Sequence, residues 1–317
     1  MKHAILAAMS ATVLLACGVA PADQFWGSAS VPASTSNGGP VLFQLDTATG
    51  TVGTVYTYSD WNLILDVTCA PGNTLYAVHN TLGSLDNYYH FMLAKVDATT
   101  GAVLSDTSIR GLTGTILPGS SDPQWNALEY QNGKLYAVEN SWKEGSVDYD
   151  QRGNIYEVAL DGNGDPASVA LGAYIGGYPA PDGGLAYRDG TWYASDWKTD
   201  HSSWIKTTTD IMNTDFTAAI GTSPVGLIDG WDFEADGHLL GVSWWANTGV
   251  ASDDFNVYQI DPLTGSSTAR FNIKSQLPSG IESLSGLSAT EVPEPATMTL
   301  LGLGLFGAAA LRRRSKK

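Results

Sequence analysis

Carboxylates and amides recur in this chain just before, and at the start of, short apolar segments. They stand as Asp60-Trp61-Asn62 with Asp66, as Asp122-Pro123-Gln124-Trp125-Asn126, and as Pro181-Asp182-Gly183-Gly184. They return as Asp229-Gly230-Trp231-Asp232 and as Glu282. Converging groups of this kind could hold a hard cation such as Ca²⁺, which takes six to eight oxygen ligands. Two carboxylates about 5 to 10 Å apart in an open cleft could instead work as acid and base on a glycosidic bond. Asp and Asn also cap strand starts and turns by bonding nearby backbone, and that simpler use is preferred for these places. Asp66, Asn126, Asp182, Asp229 and Asp232 are the candidates for ligand binding. No residue is assigned a catalytic role.

A second oxygen-rich stretch is Asp161-Gly-Asn163-Gly-Asp165. Its spacing matches the start of a calcium loop, so Asp161, Asn163 and Asp165 are candidate calcium ligands. The acid expected at the twelfth position is missing, since Gly172 stands there, and a turn between two strands would choose the same residues. Aromatic residues are the other resource, with 10 Trp and 14 Tyr in 317 residues. Trp125 and Trp245 fall close to strand ends, where an indole face beside carboxylates and amides suits a sugar ring. Such rings also fill the space between packed sheets. His79, His90, His201 and His238 form no His-x-x-x-His or Cys/His cluster, so a zinc centre is not expected. A Gly-x-Ser-x-Gly elbow and a P-loop are both absent.

The elements that must position these residues form a repeat. One phrase pairs an alternating strand with an Asp/Gly turn: Leu42 to Gly50, Leu93 to Gly101 and Val257 to Gly265. A variant runs from Ile155 to Asp165, and a degraded copy from Trp204 to Asp210. Between these lies a second phrase, a tight Gly turn before an apolar strand: Pro71 to Val78, Gln131 to Val138, Arg188 to Ser195 and Ala235 to Val242. Alternation of the two gives four-stranded units, which are blades of an all-β propeller. Four units start near Trp61, Trp125, Asp182 and Asp229. A fifth is completed across the ends, with Glu282 to Ser288 as inner strand and Phe25 to Ser30 and Val41 to Tyr58 as the others. Five blades closed by both termini are expected, with six as the alternative. Residues 23–290 form this domain.

Residues 23–290 hold 10 basic and 30 acidic side chains, a charge of about −20. That argues against nucleic acid and anionic membrane surfaces as partners. The N-terminus has Lys2, an apolar run from Ala4 to Ala16, and Ala20-Pro21-Ala22, which fits small-x-small cleavage. Residues 1–22 read as a signal peptide for signal peptidase, with Ala20 and Ala22 at the cleavage site. Leu14-Leu15-Ala16-Cys17 offers a rival reading as a lipobox. After cleavage only Cys69 remains, so the core rather than a disulfide must hold the fold.

The C-terminus reads VPEPATMTLLGLGLFGAAALRRRSKK from Val292. It joins Val292-Pro293-Glu294-Pro295, an uncharged run from Ala296 to Leu311, and a basic end at Arg312, Arg313 and Arg314. A helix over that run reaches roughly 24 Å, short of the roughly 30 Å hydrocarbon core. The basic residues would stay on the cytoplasmic side. This tail, residues 291–317, resembles the PEP-CTERM sorting signal of Gram-negative bacteria. The resemblance implies an exosortase as partner, a transient inner-membrane stage through a short transmembrane helix, and delivery to the cell surface or extracellular matrix. It also associates the chain with exopolysaccharide producers. The leading expectation is an exported, non-enzymatic propeller that binds exopolysaccharide or another envelope component. The alternatives are a polysaccharide hydrolase or lyase using inner-strand carboxylates, and a purely structural envelope protein. Calcium is the one cofactor considered.

Overall fold

The computed structural model describes residues 24–30, 39–82, 89–114, 124–139, 153–175, 183–197, 202–216, 219–223, 228–243 and 255–290. These build five sheets, arranged as the five blades expected. The first blade runs Leu63–Ala70, Thr74–Leu82, Tyr89–Asp97 and Val103–Ser108 from axis to rim. The second holds Trp125–Gln131, Lys134–Glu139, Asn154–Leu160 and Pro166–Tyr174. A two-residue strand, Thr113–Gly114, adds to its outer edge in parallel, which the repeat did not foreshadow. The third is Leu185–Arg188, Thr191–Trp197, Ser203–Thr208 and Ala219–Ser223, and the fourth Ile228–Phe233, Leu239–Ser243, Asn256–Ile260 and Ser267–Asn272.

The closing blade joins both ends of the body. Its inner strand is Ser283–Ala289, which pairs antiparallel with Gln24–Ser30 through Phe25↔Ala289 and Gly27↔Leu287. Val41–Asp46 and Thr51–Thr57 complete it. Pairing the last strand with the first closes the ring and removes the two open ends a linear row of blades would have.

Apolar side chains fill each gap between blades. One cluster joins Trp26, Leu42 and Tyr58 of the closing blade to Trp61, Ile64, Val67 and Leu75 of the first. Comparable clusters lie in the other four gaps. Each large side chain so buried contributes about 1.5–3 kcal/mol. The turn phrase has its own reason. In every blade the turn aspartate folds its carboxylate onto the following amides: Asp46 Oδ1 accepts from Ala48 N at 2.9 Å and Asp97 Oδ1 from Thr99 N at 2.7 Å. Asp161, Asp210 and Asp261 do the same. Where a glycine follows, as in all but the third blade, it packs on the preceding blade. Gly101 has φ +72, and a Cβ there would lie 2.4 Å from the Tyr56 ring; Gly50 meets Phe271 in the same way. The phrase is therefore an inter-blade contact as well as a hairpin.

Candidate functional site

The inner strands carry the residues singled out first. Asp66 is 2% exposed. Its Oδ1 accepts from Val67 N at 2.8 Å and its Oδ2 from Leu128 N, on the second blade's inner strand, at 2.7 Å. Asp232 is 8% exposed. Its Oδ1 accepts from Phe233 N at 2.7 Å, and its Oδ2 from Ala289 N at 2.7 Å and Ser288 Oγ at 3.3 Å. Thr68 Oγ1 accepts from Tyr130 N at 3.0 Å, and Ser288 Oγ from Cys69 N at 3.0 Å. These bonds have one cause. An inner strand has a free edge toward the axis, and its amides there have no strand to pair with. Side chains of the neighbouring blade supply the missing acceptors for Leu128, Tyr130, Cys69 and Ala289, and the preceding aspartate does so for Val67 and Phe233.

The axis is also tight. A Cβ at Gly286 would meet Asp66 Oδ1 at 2.6 Å and Val67 N at 2.8 Å. Burial pushes the Asp66 carboxyl well above its ordinary range, against the two amide bonds, and the nearby Asp232 charge adds to the rise. Burial likewise raises Asp232 to about 6. Asp229 is buried on the fourth inner strand and is also engaged within the protein. Asn126 Oδ1 accepts from Gln124 Nε2 at 2.9 Å. The inner-strand acids Asp66 and Asp232 thus serve backbone groups, the capping use preferred from sequence, although the amides belong partly to the next blade.

Trp125 is fully buried and stacks on Tyr156 with ring centroids 5.7 Å apart. Its indole is core between the first and second blades, where it offers no face to a sugar. Asp182, Trp245, the signal peptide with Ala20, Ala22 and Cys17, and the tail from Glu291 lie outside the described residues. The Asp161 loop has the geometry of a turn. Asp161 Oδ1 accepts from Asn163 N at 2.8 Å and Asp165 N at 2.9 Å, and these amide bonds hold its carboxyl below the usual range. The Asn163 carbonyl accepts from Lys95 Nζ, which also lies 3.4 Å from Asp165 Oδ1. The cation facing this loop is therefore an ammonium.

What the inner strands lack appears at the blade gaps, on the face where the Gly turns lie. Two grooves flank the Pro71–Asn73 turn. The one between first and second blades, about 320 Å³, is crossed by Lys95 and by Tyr76 Oη, which donates to Gly164 O at 2.6 Å. The one between the closing and first blades, about 550 Å³, is larger, and none of its described lining residues is charged. Trp26 and Tyr56 stack at 5.7 Å on one wall, and Gln44, Thr54, Asn73 and Thr99 bring amide and hydroxyl groups. Thr290, the last described residue, also lines it. Sequence reading missed this groove because its walls come from residues 26–56, 69–75, 98–99 and 290. The usable signal was that the fifth Gly turn is absent, since the first and last strands of the body meet in its place.

A third cluster places Glu234, Asp236 and His238 within 4.8 Å of one another. Arg270 already pairs with Glu234 at 2.5 Å, and Asp236 Oδ2 lies 3.0 Å from His238 Nδ1.

Comparison with known proteins adds one decisive finding. Residues 291–314 match the PEP-CTERM protein-sorting motif. The motif implies export, exosortase processing and a membrane-anchored sorting intermediate. Among the described residues no helix is long and apolar enough to cross a membrane, and the tail lies outside them. No curated protein matches the sequence. Among solved structures, a PQQ-bound aldose sugar dehydrogenase of Streptomyces coelicolor is 12% identical, with 85% of this chain and 90% of that one covered and a TM-score of 0.47. A protein of unknown function from Bacteroides caccae is 10% identical, covering 86% and 100%, with a TM-score of 0.44. A periplasmic gluconolactonase of Pseudomonas aeruginosa is 14% identical, covering 77% and 82%, with a TM-score of 0.41.

Proposed function

We propose that this exported propeller is a non-enzymatic binder of an uncharged, hydroxyl-rich polysaccharide, acting at the cell surface or in the extracellular matrix. The observation that carries the reading is the groove between the closing and first blades, whose described lining residues include no charged side chain. In a body of about −20 charge, such a groove of about 550 Å³ is a place where a neutral polymer meets no ionic competitor. Threonine hydroxyls and the Gln44 and Asn73 amides can exchange hydrogen bonds with sugar hydroxyls in both directions. The half-buried Tyr56 ring supplies apolar surface for C–H faces. The hydrolase reading loses support at Asp66 and Asp232, whose oxygens are taken up by backbone amides. A calcium-holding axis loses support for the same reason.

The reading is tested by retention of the full chain on dextran and on alginate. Retention on the neutral glucan, lost on Thr99→Glu, is the expected result. Equal retention of the wild type and Thr99→Glu would remove the groove as the site, and preference for alginate would remove the neutral-polymer assignment.

A further inference from the structure

The two grooves that flank the Pro71–Asn73 turn share a wall, because Ala70, Pro71 and Thr74 line both of them. Pro71, Gly72 and Asn73 are exposed, and a Cβ at Gly72 would meet nothing within 4 Å. The crest between the grooves is thus clear of the described chain. It is also held in place, since Asn73 O accepts from Ala98 N at 2.8 Å, beside the Asp97 turn of the same blade. The groove between the first and second blades repeats the chemistry of its larger neighbour. It is lined by the half-buried Tyr130 ring, which stacks on Tyr76 with centroids 6.4 Å apart, and by the exposed Asn163. Each groove therefore pairs a half-buried tyrosine ring, Tyr56 or Tyr130, with an exposed asparagine, Asn73 or Asn163. The smaller groove differs in holding Lys95 and Asp161. Both are answered locally. Lys95 Nζ donates to Asn163 O and to Asp165 Oδ1, and Asp161 Oδ1 accepts from Asn163 N and Asp165 N.

We infer that the two grooves are one continuous binding track crossed by the Pro71–Asn73 turn, and that its ligand is an uncharged sugar chain long enough to lie over the turn, rather than a mono- or disaccharide. The inference rests on the polysaccharide reading above and extends it to the groove between the first and second blades. A segment seated beside Tyr56 holds the next part of the same chain close to Tyr130. The second contact is then intramolecular and adds avidity, a gain that an oligomer confined to one groove does not receive. An anionic chain has no such advantage in the smaller groove. Lys95 is the only cation among its described lining residues, it is already shared between Asn163 O and Asp165, and Asp161 stands exposed beside it.

The test titrates the full chain by calorimetry with isomalto-oligosaccharides, the neutral fragments of dextran, from about two to about ten glucose units long. The expected result is a step in affinity of about tenfold or more at one length, where the chain first reaches the second groove. A longer chain sliding through a single groove gains only in proportion to its number of units, so a gradual rise or none would overturn the track. Asn163→Trp puts bulk into the smaller groove while Asn163 N and O keep their bonds to Asp161 and Lys95. It is expected to abolish the step and to leave the short oligomers bound as before. A step that survives in this variant would overturn the track, and if the variant does not fold, the wild-type length dependence decides alone. Dextran retention separates the two readings. Loss with Thr99→Glu but not with Asn163→Trp would leave the polysaccharide reading standing and the track refuted. Loss with Asn163→Trp but not with Thr99→Glu would place the polymer in the smaller groove alone and refute both. No retention of the wild type would also refute both.

Discussion

The axis and the groove between the closing and first blades offer polar groups in opposite conditions. At the axis, Asp66 and Asp232 are buried, bonded on both oxygens and raised in pKa. In the groove, Thr54 and Thr99 are exposed and neutral. The axis holds the more reactive residue types, yet its groups are consumed in joining the inner-strand edges of four blades. On the groove wall Thr54 and Thr99 are unremarkable residue types whose side chains stand outside the clusters that join the blades. A residue's chemistry is available for function only when the fold has not already used it, and here the division falls between neighbouring regions of the same face-to-face blade packing.

That division is most severely tested at Asp66. Asp66→Ala removes the acceptors of Leu128 N and Val67 N, two amides at a buried position. An orphaned buried donor costs about 1–3 kcal/mol, so a loss on the order of 4 kcal/mol is expected. At roughly 2–4 °C per kcal/mol, that is a melting point roughly 10 °C or more lower. Thermal and urea unfolding measure it. A variant as stable as the wild type would mean that the axial carboxylates are not structural, and would restore them as functional candidates.

A slightly smaller effect is expected from pH. Asp232 titrates near 6 in the folded protein against an ordinary 3.8. Between these values the folded chain holds more protons than the unfolded chain, so stability falls as pH rises through that window. The contribution is fully present below the unfolded value and lost above the folded one, by on the order of 3 kcal/mol. Asp66, raised for the same reason, acts in the same direction. Urea midpoints measured across the window should flatten in Asp232→Asn. An unchanged slope would place the acid stabilisation elsewhere.

The groove wall should be firm at its base although Thr54 and Thr99 are exposed on it. Gly101 combines φ +72 with a Cβ position 2.4 Å from the Tyr56 ring, whereas Gly133, at φ +82, has nothing within 4 Å. Alanine at either position meets the left-handed backbone cost of about 1 kcal/mol. Only at Gly101 must a ring also move, adding about 1–3 kcal/mol. Gly101→Ala is therefore expected to be less stable than Gly133→Ala by about 2 kcal/mol in chemical unfolding. Equal losses would show that the wall yields.

The sequence made much of this legible. Five blades, the closing strand at Glu282 to Ser288 and the Asp turns all follow from phrases repeated along the chain, because a hairpin's turn and its alternation are local. The sorting motif is likewise contiguous. What stayed hidden was relational. Nothing in Leu63–Ala70 says that Asp66 caps an amide 62 residues away. Trp125 looked like a strand-end platform, and the wedge between twisted sheets needed its whole volume. The groove was invisible because its described lining comes from four separated segments, one of them the single residue Thr290 at the end of the last strand.

The smallest expected effect on stability separates the two regions most sharply. Thr54 is exposed on the outer strand of the closing blade and lines the groove. Thr54→Arg adds length and charge there without entering a buried cluster, so its effect on stability should stay within about 0.5 kcal/mol. Its effect on dextran retention should be large, because the guanidinium fills the groove and brings a charge that a neutral sugar cannot pair. A tenfold weaker association corresponds to about 1.4 kcal/mol. The axial variant should show the converse: Asp66→Asn, which keeps one acceptor oxygen for the two amides, should lose stability while the surviving folded protein still binds. If Asp66→Asn abolished binding at a temperature where it remains folded, and Thr54→Arg left binding intact, the roles given to the two regions would be reversed.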